Sequence, residues 1–176
     1  CIPIEQKEDD TYKLYLHHQY HPTRKQIIRT WNEYIDNLPQ YKKEMIKKTT
    51  IDNMLDLIEH ITNNKTIMIC SNRALRETLL GGAWVMAGDK GEIFAIGINP
   101  DTAHVDFQTS YRSEIQAGIA SILFIVRLCK YFQIQTPSIL YYCDNKAFVN
   151  KIKIRETQLH KASYTDILRM IYNIIP

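Results

Sequence analysis

Residues 138–145 read Ser-Ile-Leu-Tyr-Tyr-Cys-Asp-Asn, an unbroken apolar run closed by a turn-forming Asp-Asn pair. Such a run fits a strand buried on both faces. Pro137 precedes it, and before that lies a long apolar helix over residues 111–132. In that helix Ile115, Ile119, Ile122, Leu123, Val126 and Cys129 share one face, and Ser110 is the expected N-cap. Upstream stand three short β-type runs: 66–70 (TIMIC), 81–87 (GGAWVMA) and 92–98 (EIFAIGI), with Asp89-Lys90-Gly91 as a turn signal between the last two. Short connections predict an antiparallel meander. A strand, helix, strand unit after it predicts a right-handed crossover, which lays 138–143 parallel to 66–70 and beside it. The expected architecture is therefore α/β, a mixed sheet in spatial order 3-2-1-4.

The first 64 residues read as a helical lead-in to a domain spanning 65–176. Ile27, Ile28, Trp31, Tyr34 and Ile35 recur at helical steps within 23–37, before Pro39. Met54, Leu55, Leu57, Ile58 and Ile61 do so within 51–61. Residues 41–48 form a basic segment between them, and 1–22 read as a solvated arm carrying His17, His18 and His21. Two further helices are expected at 146–152 and 164–174, the latter with Ile167, Leu168 and Ile171 periodic.

The chain is 45% hydrophobic, which excludes wholesale disorder, and its net charge of +3 is compatible with a nucleic-acid partner without requiring one. Cys1, Cys70, Cys129 and Cys143 form no CxxC pair, so neither a cysteine zinc site nor a secreted disulfide framework is expected. Cys70 and Cys143 read as buried thiols of a reducing compartment, cytoplasm or nucleus. No apolar run approaches a membrane span, so no membrane partner is expected. The chain begins with cysteine, and the expectation is a piece of a longer polypeptide.

Two acids stand out by position. Glu114 lies in the first turn of the long helix, and Asp144 lies at the carboxyl end of the last strand, where open α/β sheets gather their functional groups. Pairing of the last strand with the first brings Asn72 to the same place. Each residue alone has an ordinary explanation: a helix N-terminus favours Glu114, and Asp144 and Asn72 suit turns. Their joint placement points to a site. Arg73, Arg76, Arg112 and Lys146 are expected along the same edge. Ser71, Asn72 and Asn145 are placed to contact ribose or phosphate. Lys42, Lys43, Lys47 and Lys48 form a second candidate phosphate surface or a solvated helix face.

The sequence here resembles type 1 ribonuclease H, of the kind attached to retroelement reverse transcriptases. GGAWVM (81–86) is similar to the family's second strand, SYRSE (110–114) with Gly118 to the start of its long helix, and YCDN (142–145) to its fourth strand. The resemblance covers 66–152, about half the chain. It implies hydrolysis of the RNA strand of RNA–DNA hybrids by two Mg2+ ions held by four carboxylates. Glu114 and Asp144 match two of these. Asn72 matches the first-strand Asp, and its amide is a poor ligand for a hard dication. The family's fifth strand, its G-H motif and its final Asp have no counterpart before Pro176; His160 and Asp166 match neither. The expectation is a ribonuclease H-like module of a larger polyprotein, ancestrally an endonuclease and inactive in this chain. The alternatives are a non-catalytic nucleic-acid-binding or connecting module, and a transposase- or integrase-type relative of the same fold.

Overall fold

A computed structural model describes residues 4–6, 12–14, 30–76, 79–100, 109–135, 137–143 and 169. Its centre is the expected one. Ile67–Arg76, Leu79–Ala87 and Ile93–Pro100 form an antiparallel meander, and Ile139–Tyr142 pairs parallel with the first of them, in register Ile67↔Ile139 through Cys70↔Tyr142. In chain order these are β4, β5, β6 and β7, and they stand in the sheet as β7-β4-β5-β6, the reverse listing of 3-2-1-4. The crossover between β6 and β7 is the 23-residue helix α4, Ser110–Phe132.

One face of the sheet lies under α4, and strand alternation decides which residues reach it. Ile67, Ile69 and Ser71 of β4, Trp84 and Met86 of β5, Ala95 of β6 and Ile139 and Tyr141 of β7 are all buried. The helix comes so close that a Cβ on Gly82 would collide with the Ser113 carbonyl and the Ala117 methyl. A Cβ on Gly97 would enter the Trp84 indole. These two glycines set the depth to which α4 and Trp84 settle. Thr109, not Ser110, caps α4, its hydroxyl accepting from the Arg112 N–H, and Gln133 closes it in the left-handed region at φ 55°. By length and apolar composition α4 could cross a membrane, which the sequence reading did not anticipate; 78% of its most apolar window is buried against the protein.

The other face is less covered. β7 alternates buried and half-buried residues, so it is not buried on both sides as its unbroken apolar run predicted. Cys70, expected to be a buried thiol, is exposed there, as are Ile96 and Ile98, whereas Cys143 is half-buried.

The first 64 residues contribute strands as well as helices. β3, Thr49–Ile51, pairs antiparallel with β6 at one edge. β1, Ile4–Gln6, and β2, Tyr12–Leu14, extend the other edge by pairing β2 against β7, which makes a seven-stranded sheet. The first helix, α1, runs Trp31–Asp36 with a complete Thr30/Glu33 capping box, and residues 23–29 of the expected helix lie outside the described residues. The basic segment is itself a helix, α2, Gln40–Ile46. The next, α3, Met54–Thr62, begins behind an Asn53 cap rather than at Ile51, because Ile51 belongs to β3. Trp31 packs edge-on to Phe124 and Tyr131, joining α1 to the outer side of α4. The expected helices at 146–152 and 164–174 lie outside the described residues, Arg169 excepted; of the arm 1–22, expected to be solvated, residues 4–6 and 12–14 are strands of the sheet, and His17, His18 and His21 lie outside the described residues.

Candidate functional site

Glu114 is buried, with 5% of its surface exposed, at the point where α4 begins over the carboxyl end of β7. The Cys143 thiol donates to its Oε1 at 3.4 Å. Beside this pair the Tyr141 and Ser71 hydroxyls share a hydrogen bond across the parallel β4–β7 seam. The elements that converge here are the ones the crossover had to bring together: the first turn of α4, β4 and the end of β7.

Alternation along β4 corrects the expected ligand set. The sequence suggested a short strand ending at Cys70, with Ser71 and Asn72 beyond it. The strand instead runs on to Arg76, so side chains keep alternating through the site. Ser71 pairs with Trp84 and shares its helix-side face. Asn72 pairs with Ala83 on the opposite face, is exposed, and turns its Oδ1 to the Arg73 N–H at 2.8 Å. Asn72 therefore does not join Glu114. One residue of register moves a side chain through the sheet, and the helix-side position at this end of β4, bonded to Tyr141, is Ser71.

Arg73 is exposed and stands in register with Gly82, on the α4 side. Arg112 is half-buried in the first turn of α4. Ser71, Arg73, Arg112 and Glu114 thus share one end of the α4 side. Asp144 and Asn145 follow Cys143 directly in sequence but lie outside the described residues, as do Lys146, Asp106, His160 and Asp166; the side chain of Arg76 is also outside them.

Burial pushes the Tyr141 phenol well above its usual range, with the Cys143 thiol, the Glu114 carboxylate and the Cys70 thiol adding to the rise against the lowering effect of the Ser71 hydrogen bond. A folded pKa above the unfolded value of about 10 means that this contribution to stability is complete below pH ~10 and is lost as pH rises beyond it. In an alkaline titration of the 11 tyrosines, Tyr141 is expected to release its proton only together with unfolding. Phenolate absorbance and circular dichroism should show that late step coinciding with loss of structure, and Tyr141→Phe should remove it.

Among the described residues these surroundings do not supply the ligands of a Mg2+ pair, and Asp144, the second acid expected here, lies outside them. Such ions require several charged oxygens, and among the described residues this corner offers one carboxylate, Glu114, with a thiol and two hydroxyls around it. Of the second candidate phosphate surface, Lys48 stays exposed while the other three lysines are engaged. Lys42 is buried, Lys43 pairs with Asp36 at 2.5 Å, and Lys47 pairs with Glu44.

A different part of the molecule holds the metal-ligand geometry. His60 in the last turn of α3, and Asp89 and Glu92 in the β5–β6 turn, place ligand atoms within 4.8 Å of one another. No sequence spacing announced this trio; pairing of β3 with β6 carries α3 against the turn. Comparison with protein-family models, curated proteins and solved structures returned no match.

Proposed function

We propose that this chain is a ribonuclease H-like module of a retroelement, serving within a larger polyprotein, that engages RNA–DNA hybrid or related nucleic acid without hydrolysing it. The observation that carries the loss of hydrolysis is the neutral hydroxyl of Ser71 on the helix side of β4, where it shares its hydrogen bond with Tyr141 beside the buried Glu114. Support for the family comes from the 3-2-1-4 sheet, the parallel β4–β7 pair and the long helix that delivers Glu114 to its carboxyl end. Exposed Arg73 and half-buried Arg112 at the same end supply cationic groups suited to a nucleic-acid backbone. The reading is thus a binding or connecting module derived from a nuclease.

The test is incubation of the full chain with a labelled RNA–DNA hybrid across a Mg2+ titration. No cleavage is expected at any Mg2+ concentration, with salt-sensitive binding of the hybrid that weakens when Arg73 is replaced by alanine. Cleavage that disappears in Glu114→Gln would refute the inactive assignment. Absence of any hybrid binding would refute the nucleic-acid role.

A further inference from the structure

We propose that His60, Asp89 and Glu92 form a Zn2+ site that staples the β5–β6 turn to the end of α3. This site is distant from Glu114 in the fold and independent of the ribonuclease H-like reading.

The geometry begins with His60, which is 4% exposed. Its Nε2 lies 3.0 Å from the Thr66 carbonyl oxygen. A carbonyl only accepts, so Nε2 carries the hydrogen and the ring is fixed with Nδ1 facing the turn. Imidazole ligands are commonly oriented in this way, one nitrogen tied to a backbone carbonyl and the other turned to the metal. The ring is further held by Phe94, with centroids 4.9 Å apart. Nδ1 meets Glu92 Oε1 at 3.6 Å, beyond hydrogen-bond range. A bare ring nitrogen and a carboxylate oxygen are both lone-pair donors, and a cation between them suits the pair of a buried His60 and a partly exposed Glu92. Zn2+ with bonds of 2.0–2.2 Å in tetrahedral geometry sets neighbouring donor atoms roughly 3.3–3.6 Å apart; the His60–Glu92 pair stands at 3.6 Å, and Asp89 lies within 4.8 Å of both.

The turn is built to present its ligands. Glu92 Oε2 accepts from the Lys90 N–H at 3.1 Å, leaving Oε1 for the ring. The Gly88 N–H donates to the Glu92 carbonyl at 2.9 Å, and Gly91 takes φ +84°, closing the turn that carries Asp89. A Cβ on Gly88 would strike both Glu92 Oε1 and the His60 ring, so a larger residue there displaces the Glu92 carboxylate from the ring. The cleft beside them is lined by Asp52, Asp56, Glu59 and Glu92 with Lys65, an excess of carboxylates that favours a dication. One imidazole with two carboxylates selects a borderline metal such as Zn2+ over Mg2+, and leaves a coordination position for water.

The test is calorimetric titration of the metal-free full chain with Zn2+, with Co2+ as a visible-absorbing substitute and Mg2+ as competitor. One Zn2+ per chain is expected, with a Zn2+-dependent rise in Tm. Removing groups that merely orient a ligand costs about 10–100-fold in affinity, so Glu92→Gln, Asp89→Asn and Gly88→Ala should each weaken Zn2+ at least about 10-fold. Asp89 is exposed, so its variant separates ligand loss from misfolding. The proposal is overturned if Zn2+ does not bind, as expected were a protonated His60 simply paired with Glu92. It is equally overturned if binding survives Asp89→Asn and Glu92→Gln and is removed instead by replacing His17, His18 and His21, or if equimolar Mg2+ displaces Zn2+.

Discussion

Trp84→Ala is expected to cost about 3–5 kcal/mol of folding stability, the range for deleting a fully buried large aromatic. That is a large share of the roughly 5–15 kcal/mol that holds a domain together. Trp84 is 1% exposed, lies on the face of β5 beneath α4, meets the Phe124 ring at a tilt with centroids 5.3 Å apart, and fills the space that Gly97 leaves on β6. It therefore ties three strands to the crossover helix, and no neighbour can collapse into its volume without moving backbone. Urea denaturation followed by fluorescence or circular dichroism should show the midpoint falling with little change in slope. A loss below about 1 kcal/mol, ordinary for a surface position, would mean that α4 does not pack on this face.

The central sheet was legible because its signals are local and strong. GGAWVM pairs two small residues with a tryptophan, and the coordinates give the reason: Gly82 admits the helix backbone and Trp84 fills the space alongside. The apolar run at 138–143, with a long amphipathic helix before it, left one sensible crossover. Three-residue strands were not legible. Thr49–Ile51 is too short to show alternation, and its last residue, Ile51, reads as the start of the helix that follows. The same holds for Ile4–Gln6 and Tyr12–Leu14, whose pairing depends on the exposed edge of β7 rather than on their own composition. The helix Gln40–Ile46 buries only Lys42, Met45 and Ile46, so its apolar pattern is faint beside its charges.

The candidate site was half legible. Glu114 was found from its place in the first turn of α4, and the structure buries it at the end of β7 as the crossover requires. Asn72 departs from the expected site because β4 does not end where the sequence suggests. Ser-Asn-Arg reads as turn chemistry, yet the strand continues through it to Arg76, and each further residue alternates sides. The trio of His60, Asp89 and Glu92 was invisible, since its members are separated by a strand and a turn and meet only through the sheet.

The placement of Ser71 rather than Asn72 on the helix side of β4 leads to the second large effect. Ser71→Asp puts a carboxylate where the side chain is 3% exposed and beside another buried acid. An uncompensated buried charge costs about 3–5 kcal/mol, so in chelator this variant should be strongly destabilised. A hard dication held between the new carboxylate and Glu114 would offset that cost, because Mg2+ is bound through one or two carboxylates and retained water. Asn72→Asp, on the exposed opposite face, should change stability by no more than about 0.5 kcal/mol and gain nothing from the metal. The decisive measurement is thermal unfolding of both variants with and without Mg2+. Rescue of Ser71→Asp by Mg2+, with Asn72→Asp indifferent to it, is the result expected if the helix side of the β4–β7 end is the degenerate metal centre. Stabilisation of Asn72→Asp by Mg2+, or a Ser71→Asp variant that Mg2+ leaves unchanged, would contradict it.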